Sequence, residues 1–192
     1  LGFERSDGAI GVRNHIVILP TVVCAIDVVR RIVNALGHKV KPLYHHQGCA
    51  TTPPDIRHVE KVLINLCLNP NVAAVLLVSL GCESVEADKI CSEVAKVGKP
   101  IELITIQDLG GIKRATEKGI EIAKKLIDIA NSVKRVEASI EDLVIGVKCG
   151  ASDATSGIAA NPACGVAVDM IIDRGGTVIF GETTEVIGAE HV

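Results

Sequence analysis

The feature that most constrains the fold is a rhythm: short aliphatic runs alternate with longer amphipathic stretches along the whole chain. The short runs fall at 14–19, 40–44, 72–80, 101–106, 143–147 and 177–180, and the longer stretches at 24–36, 55–68, 85–97, 111–133 and 162–174. Short apolar runs bounded by turn residues read as buried strands, and the amphipathic segments between them as helices. Strict alternation of the two builds βαβ units, whose right-handed crossovers lay helices on both faces of a parallel sheet. The expected fold class is therefore α/β: a mostly parallel sheet between two helical layers, a Rossmann-like three-layer architecture. Local punctuation agrees. Asp55 can cap a helix after Pro53-Pro54, Gly37 and Gly98 stand where C-terminal glycines belong, and Asn69-Pro70-Asn71 ends a helix.

Composition tells how such a chain makes its core. Hydrophobic residues are 48% of the 192, but there are only two Phe, one Tyr and no Trp. Val, Ile, Leu and Ala must do the filling, as in buried parallel sheets. A net charge of −3 gives no general attraction for nucleic acid or anionic membrane. No apolar run approaches the roughly 18–20 residues that span a bilayer. Seven cysteines, an odd number without a visible secretory signal, read as reduced thiols in a cytoplasmic protein. The chain opens at Leu1 rather than Met and ends after a dense polar run, so a fragment is expected. The expected division is a central α/β domain at 1–135 and the start of a C-terminal α/β domain at 140–192. The charged stretch 134–142 reads equally as a linker or as an ordinary loop within one continuous sheet.

Parallel α/β sheets bind ligands beyond the carboxyl ends of their strands. The residues just past each expected strand are accordingly informative. Pro20, Thr21 and Cys24 come after the first, and His45-His46-Gln47-Gly48-Cys49 after the second. Gly81-Cys82-Glu83 come after the third, and Gln107 with Gly110-Gly111 after the fourth. Lys148-Cys149-Gly150-Ala151-Ser152-Asp153 come after the fifth, and Glu182 to Glu185 after the sixth. Reactive side chains gather at one rim, and an active site is expected there. Cys67, Cys91 and Cys164 fall in expected helices and read as small core residues. Cys49, Cys82 and Cys149 each adjoin a glycine after a strand; they read either as metal ligands or nucleophiles, or as small residues in tight turns. With no Cys-x-x-Cys pair, a zinc ribbon is not indicated. Three strand-end cysteines suit iron, as an iron–sulfur cluster or as a mononuclear site completed by His45 or His46. The segment CGASDATSGIAANPACG, 149–165, brings small residues together with Ser152, Asp153, Thr155, Ser156 and Asn161, and Pro162 is expected at the first turn of a helix. Its amides would suit a carboxylate or phosphate. Neither a P-loop nor a dinucleotide fingerprint is present.

These segments carry a resemblance. RSDGAIGVRNHIVILPTVVC, HHQGC, NPNVAAVLLVSLGCE, CGASDATSGIAANPACG and GGTVIFGETTEVIGAEHV, in this order, resemble the motifs of the altronate/galactarate dehydratase family, which also includes the large subunit of sulfolactate sulfo-lyase. The similarity runs over essentially the whole chain; Ala50, Ala151 and Ala154 depart from the family's usual small residues. The resemblance implies dehydration of a sugar acid such as altronate or galactarate to a 2-keto-3-deoxy acid. It also implies Fe2+, with Mn2+ or an iron–sulfur cluster as alternatives, and a small N-terminal domain or separate small subunit. A homo-oligomer is compatible with it. On this reading His45, Cys49, Cys82 and Cys149 hold the metal, and Ser152, Asp153, Ser156 and Asn161 bind substrate. Glu83, Lys148, Glu182 and Glu185 are the acids and bases. Sulfite elimination from sulfolactate, or a non-catalytic ligand-binding or assembly role, are the alternatives.

Overall fold

The computed structural model describes residues 1–191, except for the side chains of Thr183 and Glu185. The fold is α/β, with a four-stranded parallel sheet between helical layers. The chain forms two compact units, Leu1–Val136 and Glu137–Val192.

The first unit opens with a short antiparallel pair, β1 (Phe3–Glu4) and β2 (Ile10–Gly11). Next come β3 (His15–Pro20), α1 (Ile26–Leu36), β4 (Lys41–Pro42) and α2 (Pro53–Leu68). The unit continues with β5 (Val72–Ser79), α3 (Ala87–Ala95), β6 (Ile101–Thr105) and α4 (Ile112–Ser132). The sheet order is β4-β3-β5-β6, all parallel. From β3 the chain steps outward to β4, then crosses back past β3 to β5. Under the right-handed rule that reversal puts α1 on the opposite face from α2 and α3. Ile18, Leu76, Ile32 and Ala123 pack on the α1/α4 side, and Leu19, Leu77, Leu63 and Ile90 on the α2/α3 side. All eight residues of β5 are buried because both faces are covered. Each such aliphatic side chain contributes about 1.5–3 kcal/mol. The expected strand at 40–44 shrinks to two residues. Pro42 has no N–H for a ladder, and β4 is the edge strand, where proline is tolerated.

The opening motif turns out to be scaffold at the amino rim. The Arg5 guanidinium donates to the Pro70 carbonyl (2.7 Å), the Asn14 side-chain oxygen (2.8 Å) and the Arg13 carbonyl (2.9 Å). A Cβ on Gly11 would stand 2.1 Å from the Pro70 carbonyl oxygen, so only glycine fits. Lys99 is buried beside it. Its ammonium donates to the Cys67 and Asn69 carbonyls at the end of α2, both at 2.8 Å. Past α4, Gly2 and Val136 exchange backbone hydrogen bonds of 3.0 and 2.8 Å, pinning the exit of this unit to its entrance.

The second unit contains β7 (Val144–Val147) paired in parallel with β8 (Thr177–Phe180), joined through α5 (Asn161–Ile172). The expected helix start at Pro162 is corrected: helical turns begin at Ala154 and include a π turn, Ser156–Ala160. Pro162 lacks an N–H and crowds the preceding turn, and the wider π turn accommodates both effects. Two strands and one helix cannot cover both sheet faces. Among the described residues of this unit none is fully buried, and Ile158 and Phe180 are 81% and 63% exposed. No described helix is long and apolar enough to cross a membrane.

Candidate functional site

In the first unit the strand order reverses between β3 and β5, which marks their carboxyl ends as the ligand crevice. Thr21, just past β3, is buried; its N–H donates to the Val78 carbonyl (3.0 Å) and its hydroxyl to the Glu83 carboxylate. The same carboxylate accepts the N–H groups of Gly81 (2.7 Å) and Leu80 (3.2 Å). Burial pushes the Glu83 carboxyl up, but the hydroxyls of Thr21 and Ser79 and the loop amides together outweigh it. The group is held below the usual carboxylate range. A carboxylate so saturated with donors is a poor base. Glu83 ties the β5 loop to the β3 loop across the switch point.

Other bonds tie in the loop after β4. The Val23 N–H donates to the Gln47 carbonyl (2.8 Å), and the Ser84 hydroxyl to the Cys49 carbonyl (2.9 Å). The His45 Nε2 lies 2.7 Å from the Pro20 carbonyl, which can only accept, so that nitrogen carries the proton. Its Nδ1 then accepts the Gln47 N–H at 3.2 Å. Both ring nitrogens are thereby engaged. Of the thiols on these loops, Cys49 is half-buried, whereas Cys24 and Cys82 are exposed. Burial first, then negative charge at Cys24, Cys82 and Glu83 and the hydrogen bond to Cys82, push the Cys49 thiol up. Cys67 is different: fully buried in the core, its thiol is pushed up to about 12. Among the described residues, no three His, Cys, Asp or Glu side chains close tightly enough to hold a single metal ion.

The second unit has its own rim. The Lys148 ammonium, after β7, donates to the Glu182 carboxylate, after β8, at 2.5 Å and to the Cys149 carbonyl at 3.3 Å. Glu182 has φ 59° and ψ 46°, the left-handed region that disfavours a side chain, at a cost of about 1–2 kcal/mol. The Cys149 sulfur lies 3.6 Å from the Ser152 hydroxyl. A cavity of about 650 Å³ is lined by Lys148, Cys149, Ser152, Asn161, Cys164 and Glu182, among others. That is ample for a six-carbon acid. Asp153 faces its own helix: one carboxylate oxygen accepts the N–H groups of Thr155 (2.7 Å) and Ser156 (3.1 Å) and the Thr155 hydroxyl (2.5 Å). These bonds hold its carboxyl below the usual range. The helix-terminal amides expected to receive a substrate anion are thus partly answered from within.

The structure therefore sorts the expected residues. Lys148 and Glu182 meet directly, and Ser152, Ser156 and Asn161 line the same cavity. Glu83 is a clamp in the other unit, and the side chain of Glu185 lies outside the described residues. Cys49 and Cys82 are neighbours in the first unit, whereas Cys149 belongs to the second. Sequence reasoning passed over Thr21 and Cys24 as site residues, although both come just after a strand. It assigned Cys164 to a core, yet Cys164 lines the cavity.

Comparison with known proteins shows the same division. The family described as D-galactarate dehydratase/Altronate hydrolase, second domain, matches residues 2–131, and D-galactarate/Altronate dehydratase, C-terminal, matches residues 140–192. The chain is 33% identical to the (2R)-sulfolactate sulfo-lyase subunit beta of Chromohalobacter salexigens, covering 100% of the chain and 48% of that protein. It is 32% identical to the altronate dehydratase of Bacillus subtilis and 31% identical to the galactarate dehydratase (L-threo-forming) of Escherichia coli, covering 100% of the chain and 40% of each. The chain thus spans less than half the length of these relatives. With two consecutive family domains matched in order across nearly all its length, the chain belongs to the galactarate/altronate dehydratase family.

Proposed function

We propose that the protein is part of a hydro-lyase that dehydrates a sugar acid of the altronate or galactarate type to a 2-keto-3-deoxy acid. The observation that carries this reading is the Lys148–Glu182 pair, held at the mouth of two parallel strands beside a cavity of suitable size. A carboxylate removes the proton next to the substrate carboxyl, and the electron pair passes into that carboxyl as an enediolate. The neighbouring hydroxyl leaves as water, taking a proton from an ammonium. The resulting enol then ketonises. In this reading Glu182 takes the first proton and Lys148 supplies the second; their ion pair beside the cavity supports it. Ser152 and Asn161 line the cavity where substrate hydroxyls would need partners.

A resident iron, where bound, would supply Lewis-acid chemistry. Soft thiols such as Cys49 and Cys82 suit it, whereas His45 would have to release a hydrogen bond to join them. A separate small subunit, or a small N-terminal domain, would complete the enzyme. The name subunit beta of one relative supports this reading. That relative also favours a second reading, elimination of sulfite from sulfolactate by the same proton abstraction. The test is anaerobic assay of the full-length enzyme on a panel of aldonates, aldarates and sulfolactate, with and without Fe2+. Formation of a 2-keto-3-deoxy acid from one sugar acid supports dehydration; release of sulfite instead supports the second reading. No product from any substrate overturns both.

A further inference from the structure

We propose that Pro162 is a positioning residue: the π turn it imposes at Ser156–Ala160 sets the Asn161 carboxamide on the cavity face of α5, where it binds a hydroxyl of the sugar acid. The inference deepens the hydro-lyase reading and rests on it for the substrate. The bond that closes the turn joins the two residues concerned. The Asn161 N–H donates to the Ser156 carbonyl, five residues back rather than four. An α turn would instead bond Asn161 to the Gly157 carbonyl and residue 162 to the Ile158 carbonyl. Proline has no N–H for that second bond, and its ring crowds the Ile158 carbonyl. The wider turn relieves both conflicts.

The turn decides what can share a face. Ser156 belongs to the loop: its hydroxyl accepts the Asp153 N–H (3.0 Å) and donates to the Ala151 carbonyl (3.3 Å). Asn161 belongs to α5, whose cavity side also carries Cys164, Gly165 and Val168. In a regular α-helix, residues five apart stand about 140° apart around the axis. A loop anchored at Ser156 and a side chain at Asn161 would then face different ways. Both nevertheless line the cavity of about 650 Å³ that Lys148 and Glu182 also line. The Ser156 hydroxyl and the Asp153 carboxylate are engaged in holding the loop and the helix start. The Asn161 side chain is exposed at the cavity, and a carboxamide both donates and accepts, as a sugar hydroxyl does.

In the full-length enzyme, Pro162→Ala restores the missing N–H and lets the turn close as α. KM for the sugar acid should rise at least about tenfold while kcat stays within about threefold, the pattern of lost binding rather than lost chemistry. The denaturation midpoint should stay at the parent value or rise, because alanine suits a helix interior better than proline. In an Asn161→Ala background the same change should move KM by less than about twofold, since the group it positions is gone. Deleting Ala159 together with Pro162→Ala sets Ser156 and Asn161 four residues apart, neighbours on an α-helix, and should return KM to within about threefold of the parent. Parent-like KM in Pro162→Ala overturns the proposal, as do additive effects of Pro162→Ala and Asn161→Ala, or activity and folded protein lost together. A folded deletion variant that fails to rescue also overturns it. If the parent enzyme dehydrates no sugar acid, the hydro-lyase reading falls, and a crystal structure of full-length Pro162→Ala decides the turn by itself. An Asn161 N–H bonded to Gly157 keeps the positioning role of Pro162; a bond still to Ser156 removes it.

Discussion

The two units use the same grammar, a parallel strand followed by a polar turn and a helix, and reach opposite results. In Leu1–Val136 four strands lie between two helical layers, and β5 is buried end to end. Its rim polar groups are spent on one another: Glu83 on Thr21 and two amides, His45 on Pro20 and Gln47. In Glu137–Val192 no described residue is fully buried, and the rim groups form one exposed ion pair beside an open cavity. The difference teaches that a rim residue's chemistry depends on how many donors its neighbours supply, which strand position alone does not reveal. A clamped carboxylate organises loops, whereas the Glu182 carboxylate is held by a single lysine at the edge of an open cavity.

The contrast can be broken experimentally. Lys148→Met or Glu182→Gln in the full-length enzyme should lower kcat by roughly 10²–10⁴-fold, as loss of a general acid or base does. The exposed pair contributes under about 1 kcal/mol to stability. Equal loss of activity and of folded protein would make the pair structural instead. Leu77→Ala, in the covered core, should cost about 2–5 kcal/mol in chemical denaturation, and Val168→Ala, half-buried on α5, markedly less. Equal costs would erase the distinction between the units. Asp153→Ala should cost about 1 kcal/mol through loss of its helix cap.

A pH effect concerns Lys99, whose burial, aided by the Arg5 charge, lowers its pKa from 10.5 to about 8. Below pH 8 folded and unfolded chains both carry the proton. Between about 8 and 10.5 only the unfolded chain does, so stability should rise with pH across that window. Comparing denaturation of the parent with Lys99→Met from pH 7 to 10 isolates this contribution; a parent that loses stability relative to the variant as pH rises would contradict it.

Much of this was legible in the sequence because periodicity is local. The alternation of aliphatic runs and amphipathic stretches marked the parallel sheet, and strand ends marked the rim. Boundaries slipped where one residue's chemistry met its neighbours. Pro42 cut an edge strand short, and Pro162 sits inside a helix that Asp153 had already started. The motif around Arg5 looked like part of a functional signature but serves packing at the far rim, since Gly11 and Pro70 can touch only across the folded sheet.

Sequence by itself determined the layer order, the aliphatic core and which residues stand beyond strand ends, because hydrophobic spacing along the chain dictates them. Tertiary structure alone decided that Glu83 is saturated by donors from the β3 loop and its own loop, and that Lys148 finds Glu182. The Thr21–Glu83 and Lys148–Glu182 pairings join residues 62 and 34 positions apart. They form only when parallel strands bring their carboxyl ends side by side, a distance in space that no local pattern encodes.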